Sequence, residues 1–196
     1  LAINFTGVNK TFVRSGGTLT NTYLEWTVKS GASLTLNSDY SVDAGNGVTV
    51  ESGATLTLAA RLATTKLTVS GTVTKITGGE LNSASAYVFQ NGALYLHAQD
   101  GGSIPSATWA SGSTCEITGT VGTAPSNGVQ NFYNFIWNCP AQTENLNMAW
   151  DGNTIGGDIT IVSTGSGRWQ MCAPLAGSSS AHSIATVTIQ GSINQS

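Results

Sequence analysis

An all-β parallel solenoid is the fold class that this 196-residue sequence predicts, and three observations carry the prediction. Charged residues make up only 9% of the chain, against roughly 25% in an average soluble domain; Gly, Ser, Thr and Asn take their place. Solvent-exposed helices draw on Glu, Lys, Arg and Ala, so this composition favours strands and turns. The string SGASLTL at Ser30–Leu36 returns as SGATLTL at Ser52–Leu58. Around each such corner, apolar and polar residues alternate, which is the period of a strand with one buried face.

The segments follow one another as TFVRSGGTLTN from Thr11, EWTVKSGASLTLN from Glu25, GVTVESGATLTLA from Gly47, KLTVSGTVTKITG from Lys66, YVFQNGALYLHA from Tyr87 and TWASGSTCEITG from Thr108. With corners at Gly16, Gly31, Gly53, Gly71, Gly92 and Gly112, the spacings are 15, 22, 18, 21 and 20 residues. Rungs of about 20 residues with slippage indicate stacked coils. Within the third segment Val48, Val50, Ala54, Leu56 and Leu58 share the inward face, while Thr49, Thr55 and Thr57 point out. Two short strands and a bend hold too little apolar surface to be stable alone; stacking copies buries a continuous column. Glycine at the bend takes up backbone conformations that a Cβ disfavours. The alternative is a β-sandwich with turns at similar intervals.

The texture changes near Thr120. Residues 1–120 carry the SGASLTL/SGATLTL-type rungs, and residues 121–196 are expected to continue the same single domain with wider, aromatic-rich rungs. In NFYNFIW, Tyr133, Phe135 and Trp137 fall on one face and Phe132, Asn134 and Ile136 on the other. Both faces are largely apolar, so a strand buried on both sides is expected. The competing use of Tyr133, Trp137, Trp150 and Trp169 is as a flat platform for sugar rings. After Asp151-Gly152 the alternation returns in Asp158–Val162 and Thr186–Ile189.

FYNFIWNCPAQTENLNM followed by TIGGDITIVSTGSG resembles repeat regions of large secreted surface proteins of the Bacteroidota, in which a FxNLxWN strand precedes a GDLTIxSTG strand. Those regions often stand beside adhesin-like modules and a type IX secretion signal. The SGATLTL units resemble the solenoid rungs of the same proteins. The resemblance implies a secreted, cell-surface β-solenoid. A chain that begins at Leu1 and ends just after the rung-like TIQGSIN is expected to be a processed subunit or a section of a longer stalk. It would associate with itself end to end or continue into further rungs.

Other function classes find little support. The net charge is −3 and the seven Lys and Arg are scattered singly, so no basic stripe awaits nucleic acid. No run of eighteen apolar residues exists to insert into a membrane. Cys115, Cys139 and Cys172 contain no CxxC pair; one disulfide with a spare thiol and three inert core thiols are equally compatible. Acidic residues fall mostly one per rung, and Asp39 with Asp43 reads as a solvated loop rather than a catalytic pair. Glu51 and Glu116 read as outward surface charges. His97 and His182 read as surface or partly packed residues, and GxSxG and HExxH are absent. QDGGS and WDGNT read as turns. No catalytic residue, cofactor or metal site is predicted.

One pattern remains on the outward face. Thr18 and Thr20, Ser33 and Thr35, Thr55 and Thr57, and Thr72 and Thr74 each follow a corner, and stacked rungs would align them in two columns. Rungs lie about 4.8 Å apart and alternate residues about 6.7 Å apart along a strand. Such a ladder resembles the Thr arrays of β-solenoid ice-binding proteins, with Tyr95 the expected interruption; the plainer role is to keep a strand face soluble without charge. The functional expectation is an extracellular structural or adhesive surface element without enzyme activity. A carbohydrate-binding module and an ice-binding protein are the alternatives, with a surface glycan as the candidate partner of the first.

Overall fold

The computed structural model of the chain describes residues 2–17, 24–42, 47–172 and 186–195. Thr18, Thr20, Asp43 and His182 lie outside the described residues. The first coils alternate strands of two sheets: β1 (Ala2–Phe5) with β2 (Lys10–Phe12), then β3 (Glu25–Val28) with β4 (Ser33–Leu36) and the short β5 (Tyr40–Val42). They continue with β6 (Val48–Val50) and β7 (Thr55–Leu58), β8 (Arg61–Val69) and β9 (Thr72–Ile76), β10 (Glu80–Phe89) and β11 (Leu94–Ala98), and β12 (Thr108–Trp109) and β13 (Thr114–Ile117). Further on come β14 (Asn134–Asn138), β15 (Asn145–Asn147), β16 (Thr154–Ile155), β17 (Ile159–Ser163), β18 (Arg168–Gln170), β19 (Thr188–Ile189) and β20 (Ile193–Gln195).

The first sheet runs β1-β3-β6-β8-β10-β12, with β5 paired to β8; the second runs β2-β4-β7-β9-β11-β13-β14-β17-β20. Among the described residues every strand pair is parallel, including the two-stranded sheets β15-β18 and β16-β19. A β-sandwich is built from antiparallel strands, so the chain is a β-solenoid. Along the second sheet Lys10 pairs with Leu34, Ser33 with Thr55, Thr55 with Thr72, Thr72 with Leu94, Leu94 with Thr114, Thr114 with Asn134, Phe135 with Ile159 and Ile159 with Ile193. The coil lengths are therefore 24, 22, 17, 22, 20, 20, 24 and 34 residues.

A four-residue turn makes most corners. The N–H of Ala32 donates to Lys29 O, Ala54 to Glu51 O, Ala93 to Gln90 O and Ser113 to Ala110 O. The third residue of each turn is Gly31, Gly53, Gly92 or Gly112, with φ between 73° and 83°. Positive φ at that position is where glycine is favoured over any residue with a Cβ. Two expected corners differ. Register aligns Gly31 with Gly7 rather than Gly16, so the first spacing of 15 does not measure a coil. At Gly71 the corner is shortened: Val50 pairs with Val69 and Thr55 with Thr72, leaving two residues where the preceding coil has four. A Cβ on Gly71 would collide with the carbonyl oxygens of Glu51 and Ala54.

The core is a set of side-chain columns along the stack. One runs Leu34, Leu56, Val73, Tyr95, Cys115, Phe135 and Ile159; its neighbour runs Leu36, Leu58, Lys75, His97, Ile117, Trp137 and Ile161. All but Ile161 are buried. From the first sheet, Val28, Val50, Val69, Phe89 and Trp109 face them. The aromatic segment is buried on one face instead of two: Phe135 and Trp137 point in, whereas Asn134, Ile136 and Asn138 are partly exposed. Strict alternation within β14 puts every second side chain outside.

Candidate functional site: the outward face of the second sheet

Register turns the outward residues of β4 through β14 into straight columns. Ser33, Thr55 and Thr72 continue into Leu94, Thr114 and Asn134. Thr11, Thr35, Thr57 and Thr74 continue into Leu96, Glu116 and Ile136, with Thr160 beyond. Ile76 and Ala98 stand in a third column. From Ser33 to Ile136 the residues of the first two columns are partly exposed, each shielded by its neighbours one coil away. Pairing runs from β2 to β14 without a register shift.

The ladder predicted from sequence is thus formed over Ser33/Thr35, Thr55/Thr57 and Thr72/Thr74, but its interruption is different. Tyr95 is fully buried and points into the core; Leu94 and Leu96 occupy the hydroxyl positions. The residue after a corner glycine faces in, and counting from Gly92 with that parity reaches Leu94 and Leu96. At the first coil the ladder position belongs to Thr11. A further Thr column was missed. Thr27, Thr49 and Thr68 align on the outside of the first sheet, followed by Val88 and Thr108. Its signal is the recurrent Thr-Val of EWTV, GVTV and KLTV.

The two faces differ in charge. Along the first sheet Lys29 Nζ lies 2.7 Å from Glu51 Oε1, and Lys66 is exposed. The Lys29 ammonium and the Ser30 N–H hold the Glu51 carboxyl below its usual range. In the outward columns of the second sheet between Ser33 and Ile136, Glu116 is the single ionisable residue. Chemically this is an in-register array of hydroxyls, methyls and Leu/Ile side chains.

The aromatic platform is not assembled. Trp137 and Trp150 are fully buried, and Tyr133 and Trp169 partly so. Trp150 meets Phe135 edge-on at 4.7 Å between ring centroids and Trp169 at 5.4 Å. Its indole N–H donates to Gly128 O at 2.8 Å, and that of Trp137 to Gln142 Oε1 at 2.8 Å. Trp137 and Trp150 fill the core with Trp169 packed against them, where large aromatic area contributes most.

Among the remaining chemistry-bearing residues, His97 is the one whose placement differs most from the sequence reading. It is fully buried, with Nε2 2.7 Å from Gly101 O and Nδ1 3.1 Å from the Tyr95 hydroxyl. A carbonyl can only accept, so Nε2 carries the proton and Nδ1 accepts from Tyr95 O–H. Burial is the main cause that drives the imidazole pKa down to about 4. Lys75, the next inward residue in register, donates from Nζ to Ser103 O at 2.8 Å, and burial lowers its pKa. The sequence signal was parity: LYLHA places His97 in phase with Tyr95.

Several acids act as ties between coils. Asp100 Oδ1 accepts the N–H groups of Val121, Gly122 and Thr123 at 2.9, 3.0 and 2.9 Å, and these bonds hold its carboxyl below the ordinary range. Asp39 Oδ1 accepts Arg61 N–H at 2.9 Å and Asp158 Oδ1 accepts Ser192 N–H at 2.7 Å. Glu116 is partly exposed, in the second outward column. All three cysteines are unpaired; burial raises the pKa of Cys115 and Cys139, which suits inert core thiols. Among the described residues no group of three or more His, Cys, Asp or Glu converges, and no helix is long and apolar enough to cross a membrane. No protein-family model, curated protein or solved structure matches this chain.

Proposed function

We propose that this chain is a structural or adhesive element of an extracellular surface, a length of solenoid stalk that displays a flat and nearly charge-free contact face. The observation that carries the reading is the in-register second sheet, whose outward columns hold one ionisable residue from Ser33 to Ile136. Backbone hydrogen bonds between parallel coils lie along the stack, so tension along the axis is carried at each coil interface by the strand pairs of its sheets together. The Ser/Thr-rich exterior keeps such a surface soluble with few charges. The resemblance of FYNFIWN and GDITIVSTG to secreted surface proteins of the Bacteroidota supports an extracellular setting, and end-to-end stacking or continuation into further rungs fits the parallel pairing. Electron microscopy of the purified native material tests it: rods or fibres are expected, and compact isolated particles alone would overturn it.

A second reading rests on the same face. Ser33, Thr55 and Thr72 beside Thr35, Thr57 and Thr74 form a two-column array with spacings of about 4.8 and 6.7 Å, the kind of regular hydroxyl and methyl pattern that could order water at an ice surface. Thermal hysteresis and faceted ice growth at millimolar protein are then expected, and neither should survive Thr57→Lys. Unchanged crystal shape with the wild-type protein removes this reading.

A further inference from the structure

We propose that the outward face of the second sheet pairs with the same face of a second copy of this chain, through a two-fold axis lying along β11. The inference rests on the reading of this face as a contact surface and names its partner. A face with one carboxylate and no cation offers a basic surface a single point of attraction and an acidic surface none. It selects an equally uncharged one, and the uncharged face in hand is its own.

Register makes the face complementary to itself. A two-fold axis along β11 inverts the stacking order and keeps the strand direction, so each residue meets one the same number of coils away on the other side. Leu94 then meets Leu94 and Leu96 meets Leu96. Glu116, one coil later, meets Thr74, one coil earlier, so a carboxylate faces a hydroxyl and never its own copy. Ile136 meets the methyl-bearing Thr57, two coils from the axis. Leu94 and Leu96 thus lie at the centre with mainly hydroxyl-bearing residues around them, which is the anatomy of a small specific interface.

Area sets the strength. The five strands β7, β9, β11, β13 and β14, placed symmetrically about the axis, at about 4.8 Å, by three outward columns at about 6.7 Å, cover about 500 Å² on each copy. Both copies together bury about 1,000 Å², the lower limit for a specific association. The dimer is therefore weak and reversible, with a dissociation constant on the order of tens of micromolar.

Sedimentation velocity of the whole chain from about 5 to 500 µM reads this directly. The wild type should shift from monomer to dimer across that range, and Leu96→Lys, which sets two ammonium groups against each other on the axis, should remain monomeric. Val88→Lys, on the outside of the first sheet, should dimerise like the wild type. Circular dichroism and thermal melts check that both variants fold; if Leu96→Lys does not, Leu96→Ser is the substitute. Cysteine pairing tests the axis itself: Leu96→Cys should cross-link to its own copy on mild oxidation at least ten-fold faster than Thr57→Cys, which faces Ile136. A wild type that stays monomeric up to 500 µM overturns the proposal, as does equal cross-linking at both positions. End-to-end rods in the microscope depend on the sheet edges and would survive Leu96→Lys, so loss of the lateral dimer and loss of the stalk reading are separable.

Discussion

Acidification should weaken this protein well above the pH at which its carboxylates protonate, and His97 is the cause. The folded chain holds the imidazole neutral at a pKa of about 4, against 6.5 for the free side chain. Burial is the largest reason; the Gly101 carbonyl opposes it by accepting from Nε2–H, and the Lys75 ammonium in the adjacent coil adds to it. Protonation would also turn Nδ1 into a donor facing the Tyr95 hydroxyl at 3.1 Å, and burial raises that phenol far above its ordinary pKa. Because the folded pKa is depressed, the unfolded chain takes up the proton first. The contribution is complete above about pH 6.5 and is lost as pH falls towards 4. At 1.36 kcal/mol per unit, the loss amounts to about 3 kcal/mol, a large part of the 5–15 kcal/mol typical of a domain. Urea titrations at pH 7.5, 6.5, 5.5 and 4.5 measure it, with His97→Gln as reference. Gln can donate to Gly101 O and accept from Tyr95 O–H without a titrating group, so its stability should be nearly flat between pH 6.5 and 5. Other titrating groups are common to both proteins and cancel in the difference. Parallel stability profiles for the two proteins over that range would refute the reasoning.

Gly71→Ala should cost about 1–3 kcal/mol, as overpacking does, because its Cβ would press on the carbonyls of Glu51 and Ala54; a thermal melt checks it, and Gly16→Ala, with open space around it, should change little. Leu56→Ala empties the middle of a buried column and should lose about 2–5 kcal/mol, whereas its outward neighbour Thr57→Ala should stay within about 0.5 kcal/mol; denaturant midpoints compare the two. Asp100→Ala leaves three backbone N–H groups of the next coil without their acceptor and should cost about 1–2 kcal/mol, with faster amide exchange at Val121–Thr123. Iodide should quench little of the tryptophan fluorescence, since Trp26, Trp137 and Trp150 are enclosed; strong quenching would contradict their burial.

The alternation of Val48, Val50, Leu56 and Leu58 with polar residues identified strand, inward face and corner correctly, because a period of two is a local property of an extended backbone. The repeat of SGASLTL and SGATLTL led from there to stacking, since one rung cannot bury its own apolar face. Local pattern therefore determined the solenoid. What the sequence left open was registration between coils. Gly16 and Gly71 look like the other corner glycines, yet one lies outside the corner row and the other closes a shortened turn, and only pairing across coils shows this. The same pairing puts Leu94 and Leu96 in the Thr columns, turns Tyr95 and His97 inward and encloses Trp137 and Trp150. Residues some twenty positions apart become neighbours at one strand spacing, and small differences in coil length decide which ones. Side chains of the same chemistry thereby become core, tie or contact face according to the coil above and below them.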